Sequence, residues 1–305
     1  MTDPAAPATP PEQRPFRFGL IIDQVATTRA TLLEEAKRAA DAGVHVLLGT
    51  DHLGRYATLP LLQAAAEATG LRIGTFVLNN DLRHPTVLAQ ELTTLDLVTD
   101  GRLEIGLGAG WNRAEYEAAG LAFDVPRRRV DRMVATVSML KQAMSEGRIE
   151  HQADDAYPEI RQEGLPTSVQ RPHPPIMIGG GGPRVLRFAA READIVALDP
   201  RSLPKGGSDP NDLTEAAVDR KIAWIREAAD YRWPEIEINV GLFDANRGIS
   251  DEELARSPHY LLGTDVDAMV DTLLERRDRW GISYLAMRRP VLDRIAGAVA
   301  RLAGS

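Results

Sequence analysis

Four consecutive glycines, Gly179–Gly182, follow the apolar run Pro175-Ile176-Met177-Ile178 and precede Pro183. Glycine backbone approaches an anion closely, and proline suits the first turn of a helix whose leading N–H groups are unpaired, so the stretch can cradle a phosphate. It reads equally as a flexible strand-to-helix turn. No Gly-Lys-Ser/Thr follows, so it is not a P-loop, and the glycines lack the spacing of a dinucleotide fingerprint. Thr50-Asp51-His52 sets a carboxylate beside an imidazole, a pair able to hydrogen-bond a ligand and exchange a proton near neutral pH. Asp51 as a turn cap and His52 as a packing residue is the competing reading. Asn79-Asn80-Asp81, followed by Arg83-His84-Pro85, offers amides that can read the edge of a polar ring, or else ordinary turn and helix-entry chemistry. In Gly106-Leu107-Gly108-Ala109-Gly110-Trp111-Asn112, small residues let a flat ligand lie against the backbone while Trp111 packs and Asn112 bonds, or they fill a tapering barrel.

Other chemistries find little support. The six histidines, His45, His52, His84, His151, His173 and His259, form no His-x-His or His-Glu-x-x-His pair, so no metal site is expected. No Gly-x-Ser-x-Gly elbow is present, and the absence of cysteine removes thiolate chemistry and disulfides. A formal charge of −8 argues against general nucleic-acid binding, and Arg127-Arg128-Arg129 reads as a helix face or carboxylate-pairing site. No apolar run approaches the roughly 20 residues that span a bilayer, and residues 1–15 lack an apolar signal core, so a cytoplasmic location is expected.

Positioning these groups requires a scaffold, and its rhythm is regular. Phe16–Ile22, Val44–Gly49, Leu71–Leu78 and Arg102–Leu107 read as strands whose starts are about 27 to 31 residues apart, the length of a βα unit. Leu32, Leu33, Ala36, Ala39 and Ala40 fall on one helical face closed by Gly43; Leu88, Leu92, Leu95 and Val98 do the same before Asp100-Gly101. The second half adds strands at Pro175–Ile178, Asp194–Leu198, Glu235–Phe243 and Ile282–Met287, with residues 147–175 as a polar, aperiodic insertion. Eight strand-helix units predict an α/β fold, a (β/α)8 TIM barrel, in one domain over residues 16–305 behind a disordered tail at 1–15. An open doubly wound sheet would carry its glycine-rich loop after the first strand, where Gly19 stands alone. The barrel places reactive groups just after strand C-termini, where all four motifs fall.

Thr50-Asp51-His52-Leu53, Leu78–Pro85 leading into Leu88-Ala89-Gln90-Glu91-Leu92, Asp100–Asn112, and Pro175–Leu186 with Ala193-Asp194 together resemble the luciferase-like monooxygenase family, in particular its branch using the deazaflavin coenzyme F-420. The resemblance covers roughly residues 16–290. It implies a TIM barrel with an insertion before the phosphate-binding strand, and an oxidoreductase, a reductase by expectation, passing a hydride between the deazaflavin and an organic small molecule. It places Asp51 and His52 near the ring's reactive edge, His52 as hydrogen-bond partner or proton donor. It maps a non-proline cis peptide onto Thr75-Phe76-Val77, best at Phe76-Val77, backing the ring. Asn79, Asn112 and the Gly108-Ala109 backbone would hold ring or ribityl chain, and Gly179, Gly180, Gly181 and Gly182 the phosphate.

One departure bears on substrate. Sugar-phosphate-oxidising members carry a glutamate in the loop after the fourth strand, where this chain has Ala109-Gly110-Trp111. That counts against sugar-phosphate oxidation. The alternatives are an FMN-dependent monooxygenase supplied with reduced flavin by a partner reductase, and a non-catalytic flavin-binding barrel. The resemblance further implies a homodimer formed through outer helices.

Overall fold

The strands form where apolar residues are buried on both faces, as parallel strands covered by helices must be. The computed structural model describes residues 13–25, 27–203, 208–243, 256–261 and 263–305. In chain order the first half holds β1 (Arg17–Ile21), α1 (Arg29–Asp41), β2 (Val46–Gly49), α2 (Thr58–Thr69), β3 (Arg72–Thr75), β4 (Leu78–Asn79), α3 (Pro85–Val98), β5 (Leu103–Gly108), α4 (Arg113–Ala118) and α5 (Pro126–Glu146). The second holds β6 (Ile149–His151), β7 (Ile160–Gln162), β8 (Ile176–Gly180), α6 (Pro183–Glu192), β9 (Ile195–Leu198), α7 (Glu215–Ala229), β10 (Glu237–Leu242), α8 (Val266–Trp280), β11 (Ile282–Met287) and α9 (Arg289–Leu302).

Parallel pairing runs β3-β2-β1-β11-β10-β9-β8-β5, and β3 pairs with β5 to close the ring. With β4 continuing β3 as one stave, the structure is the closed eight-stranded (β/α)8 barrel that the sequence predicts. Leu71–Leu78, read as one strand, is interrupted: β3 stops at Thr75 and β4 starts at Leu78, both against β5. Helix signals are local. Thr28 caps α1 by accepting from the Thr31 N–H, Pro85 and Pro183 open α3 and α6, and Gly147 ends α5 in the left-handed region.

The barrel floor is a balanced ion cluster. Arg17 bonds Glu104 and, at 2.6 Å, Glu237; Arg72 Nε donates to Glu104 at 2.8 Å; and the Arg17 guanidinium lies 4.6 Å from the Tyr284 ring centre. Above it Val46, Leu48, Met177, Ile195, Ala197 and Ala286 fill the interior. The outer core is the larger one, between strands and helices.

The stretch 147–175 is more ordered than its composition predicts. It contains the antiparallel hairpin β6–β7, and beyond the hairpin the chain is tied to α3 by buried Asp96, whose carboxylate accepts from Val169 N (2.8 Å), Gln170 N (3.1 Å) and Gln170 Nε2 (2.8 Å). The expected tail at 1–15 lies mostly outside the described residues, but its end is held: Gln13 bonds Asp278 and Arg14 bonds the Pro234 carbonyl. Of the loops at 200–211 and 244–262, residues 204–207, 244–255 and 262 lie outside the described residues. Among the described residues no helix is long and apolar enough to cross a membrane.

Candidate active site at the barrel mouth

The exit of β2 is locked before it reaches the reactive pair. Gln24, in the loop after β1, donates to the Thr50 carbonyl (2.8 Å) and accepts from the Thr50 N–H (2.8 Å) and hydroxyl (2.7 Å). Next in line, Asp51 is committed to the protein. Its Oδ2 accepts from Arg83 Nη1 at 2.7 Å and from the Asn79 N–H at 3.0 Å, and its Oδ1 accepts from Arg83 Nη2 at 3.1 Å. Burial alone would lower the Arg83 pKa, but the bonds to Asp51 outweigh it and raise it. Asp51, which the sequence sets at the reactive edge, joins the loop after β2 to the loop after β4.

His52 is the freer member of the pair. Its Nδ1 lies 2.7 Å from Glu115 Oε1. A carboxylate only accepts, so Nδ1 donates, and Nε2 is left without a hydrogen bond among the described residues. The same Glu115 oxygen accepts from Asn112 Nδ2 at 2.7 Å, and Trp111 meets the His52 ring edge-on at 5.9 Å. The loop after β5 thus lacks a glutamate of its own, yet α4 delivers a carboxylate to the imidazole. Glu115 is a residue the sequence reading missed. Its signal was Asn112-x-x-Glu115, the spacing of a capping box.

The bulge beside this pair carries the expected backbone feature: the Phe76-Val77 peptide bond is cis. Phe76 and Val77 pack on the interior cluster, and Thr75 uses its hydroxyl twice on β5, donating to the Gly106 carbonyl (2.9 Å) and accepting from the Gly106 N–H (2.7 Å). Asn79 is likewise engaged, its Oδ1 accepting from the Tyr116 hydroxyl at 2.9 Å and from the Asp81 N–H at 3.2 Å. Burial and neighbouring Asp81 push the Tyr116 phenol above its ordinary range, and Asp81 is paired in turn with Arg132 at 2.7 Å. A Cβ on Gly108 would lie 2.6 Å from Val77, and the Ala109 carbonyl accepts from Arg129 Nε at 3.2 Å. Within the arginine triplet, Arg127 and Arg128 face Asp131 and Asp124, while Arg129 lies over Phe123. The side chains of Thr75, Asn79 and Asn112 therefore build the site's walls, while Phe76, Val77, Gly108 and the glycine run supply surface.

The glycine run fits a phosphate. A Cβ at Gly180 would sit 2.6 Å from Val185, and one at Gly181 would sit 2.5 Å from the Asp199 carbonyl oxygen. At Gly182, by contrast, a Cβ would meet nothing within 4 Å, and this residue caps α6 without any side-chain bond. The first-turn N–H groups of Arg184 and Val185 have no partner within the helix, and at such a helix N-terminus an anion is stabilised. A flavin or deazaflavin phosphate would be held here, on the same barrel face as His52. Asp199, directly after β9, closes the far side of the cradle and was not singled out from sequence.

Comparison with known proteins identifies the family. A family model described as luciferase-like monooxygenase matches residues 15–226. The F-420-dependent glucose-6-phosphate dehydrogenase of Nakamurella multipartita is 30% identical over 198 residues, 61% of this chain and 56% of that protein. The 5,10-methylenetetrahydromethanopterin reductase of Methanopyrus kandleri is 26% identical over 268 residues, 84% of this chain and 68% of that one. The chain spans 51% to 56% of the length of three F-420-dependent glucose-6-phosphate dehydrogenases among those it matches. Among solved structures, the F-420-dependent tetrahydromethanopterin reductase of Methanopyrus kandleri superposes with a TM-score of 0.72 at 19% identity, covering 95% of this chain and 97% of that one. The oxygenating constituent of 3,6-diketocamphane monooxygenase from Pseudomonas putida, in complex with FMN, gives 0.70 at 14%, covering 95% and 98%. The match of the family model over more than half of the sequence, on a barrel whose mouth holds these motifs, shows that the chain belongs to the luciferase-like monooxygenase family.

Proposed function

We propose that this chain is an oxidoreductase that uses coenzyme F-420 and reduces an organic small molecule. One observation carries the reading: an imidazole with its tautomer fixed by Glu115, and its Nε2 unbonded, stands on the same barrel face as an uncapped helix N-terminus behind four glycines. When bound, the deazaflavin would supply the hydride. The protein's own part is to bind, orient and hold a proton. Gly179–Gly182 and the first turn of α6 take the phosphate, Phe76 and Val77 back the tricycle, and His52 holds a proton at Nε2 in its charged form. Glu115, bonded to Nδ1, fixes the orientation of the ring. The names of the curated relatives support F-420 over FMN.

The rim supports a substrate without a phosphate. Val25, Leu53, Tyr56 and Trp111, on the loops after β1, β2 and β5, are exposed at the mouth. Pairing of two copies through the outer helices belongs to the same proposal, because α3 exposes Val87, Leu97 and Val98. Elution as a monomer at micromolar concentration overturns that part.

Equilibrium titration of the purified protein with F-420 and with FMN tests the cofactor. Nanomolar FMN binding with no detectable F-420 binding overturns the proposal in favour of a monooxygenase fed by a partner reductase. Turnover is then tested with reduced F-420 against a panel of enones, quinones and imines. His52→Ala is expected to lower kcat by about 10²- to 10⁴-fold while cofactor affinity is kept. Equal losses in binding and none in turnover would mark a carrier rather than an enzyme.

A further inference from the structure

Asp199 follows β9 by one residue, and Ala197 two positions before it faces the barrel interior, so strand alternation turns Asp199 inward as well. Its Oδ2 lies 3.0 Å from the point a Cβ on Gly179 would occupy, and Val77 Cγ1 lies 3.3 Å from that same point. The carboxyl therefore lies beside Gly179, at a point the bulge after β3 also approaches, and these are the two features expected to hold the cofactor. Its main chain is pinned: the Asp199 N–H donates to the Gly180 carbonyl at 3.2 Å, and its own carbonyl accepts from Lys221 Nζ at 2.8 Å. The side chain, by contrast, has no hydrogen bond or ion pair among the described residues. Among the described residues this is a rigidly presented carboxyl with no side-chain partner, set against the first glycine of the run.

We propose that Asp199 is a cofactor-binding residue that enters the complex as the neutral carboxyl and donates a hydrogen bond to an oxygen of the bound flavin or deazaflavin. The assignment rests on the function proposed above. An ionised carboxylate facing a phosphate-bearing ligand would repel it, whereas the protonated form supplies a donor where backbone N–H groups end. The surroundings favour that form. Burial pushes the Asp199 pKa up to about 6, against a smaller opposing pull from Lys221. Lys221, on α7, is spent on the Asp199 carbonyl and on the Asp212 carboxylate at 2.8 Å. Arg201 in the same loop pairs with Asp209 and Asp212. Gly179 and Gly180 on β8 and Val77 in the bulge, the other described neighbours, bring no charge.

The test is the pH dependence of affinity for FMN, F-420 and riboflavin, measured by fluorescence titration of the wild type and Asp199→Asn between about pH 6.5 and about pH 8.5. Binding coupled to uptake of one proton weakens by about tenfold per pH unit above the pKa of the free group. The wild type is expected to show this slope in excess of Asp199→Asn, which keeps a donor but does not titrate; the subtraction removes ionisation of the cofactors themselves. As a second measurement, calorimetry of the wild type with riboflavin in buffers of different ionisation enthalpy is expected to show uptake approaching about one proton, retained in His52→Ala. Equal slopes in the two proteins, or no proton uptake with riboflavin, overturn the assignment alone. Failure of all three probes to bind the wild type overturns the proposed function and this assignment with it.

Discussion

Replacing Gly106 by alanine should damage the barrel where it closes. A Cβ at this position would lie 1.9 Å from the Thr75 carbonyl oxygen and 2.9 Å from its carbon, both backbone atoms that no rotamer change can move. The β3–β5 seam pairs at Ile73↔Leu103 and Gly74↔Glu104 and resumes through β4 at Leu78↔Leu107. In the gap, the two bonds between the Thr75 hydroxyl and Gly106 stand in for the ladder. Alanine must push the seam apart, at about 1–3 kcal/mol for overpacking, and loses two buried hydrogen bonds worth about 1 kcal/mol each, so a loss of about 3–5 kcal/mol is expected. Urea unfolding followed by circular dichroism measures this as a lower midpoint at unchanged slope. Gly182→Ala is the comparison: its φ is −94° and its Cβ would meet nothing within 4 Å, so stability should change by about 1 kcal/mol or less while phosphate-bearing cofactors bind more weakly. Stability of Gly106→Ala within about 1 kcal/mol of the wild type would refute the reasoning, because overpacking of a closed seam should exceed that.

Two further outcomes follow from buried charge. Arg83→Met leaves Asp51 enclosed without its partner; a fully buried pair costs about 3–5 kcal/mol to break, and since the Arg83 side chain is 20% exposed, about 2–3 kcal/mol is expected, partly recovered in the Asp51→Asn, Arg83→Met double variant. Denaturant titration of the three variants checks it, and additive losses would count against the pairing. His259 is enclosed, its Nδ1 donating to the Gly241 carbonyl at 3.1 Å, and burial holds its pKa down to about 3 from 6.5. It stays neutral in the folded protein while the unfolded chain takes up a proton, so its contribution is complete above about pH 6.5 and is lost as pH falls toward about 3. The slope is about 1.4 kcal/mol per pH unit. Stability curves of His259→Gln should be flatter than the wild type by that amount in this window, and parallel curves would refute it.

The barrel was legible because its strands are apolar runs recurring at βα length, a pattern that survives without knowledge of any contact. The four motifs were legible for the same reason: each sits where a strand ends. What escaped was pairing across the mouth. Asp51 and His52 are adjacent in sequence, but their partners are Arg83, 32 residues on, and Glu115, 63 residues on, and spacing alone does not reveal which neighbour takes which. Asp199 escaped because one carboxylate after a strand is unremarkable until Gly179 is seen against it. The polar composition of 147–175 concealed β6 and β7, whose small hairpin buries only Ile149 and Ile160, and the tie from Asp96 to Gln170 comes from outside the stretch.

Glu115 turns the loops leaving β2 and β5 into one heritable unit. A recombination that takes everything up to β3 from one parent and β5 onward from another would pass on the imidazole without the carboxylate chosen for it. Exchange of the β5 loop alone is therefore a poor route to new substrates in this barrel. Moving residues of both loops together, with α4 attached, keeps His52 and Asn112 under the same hand.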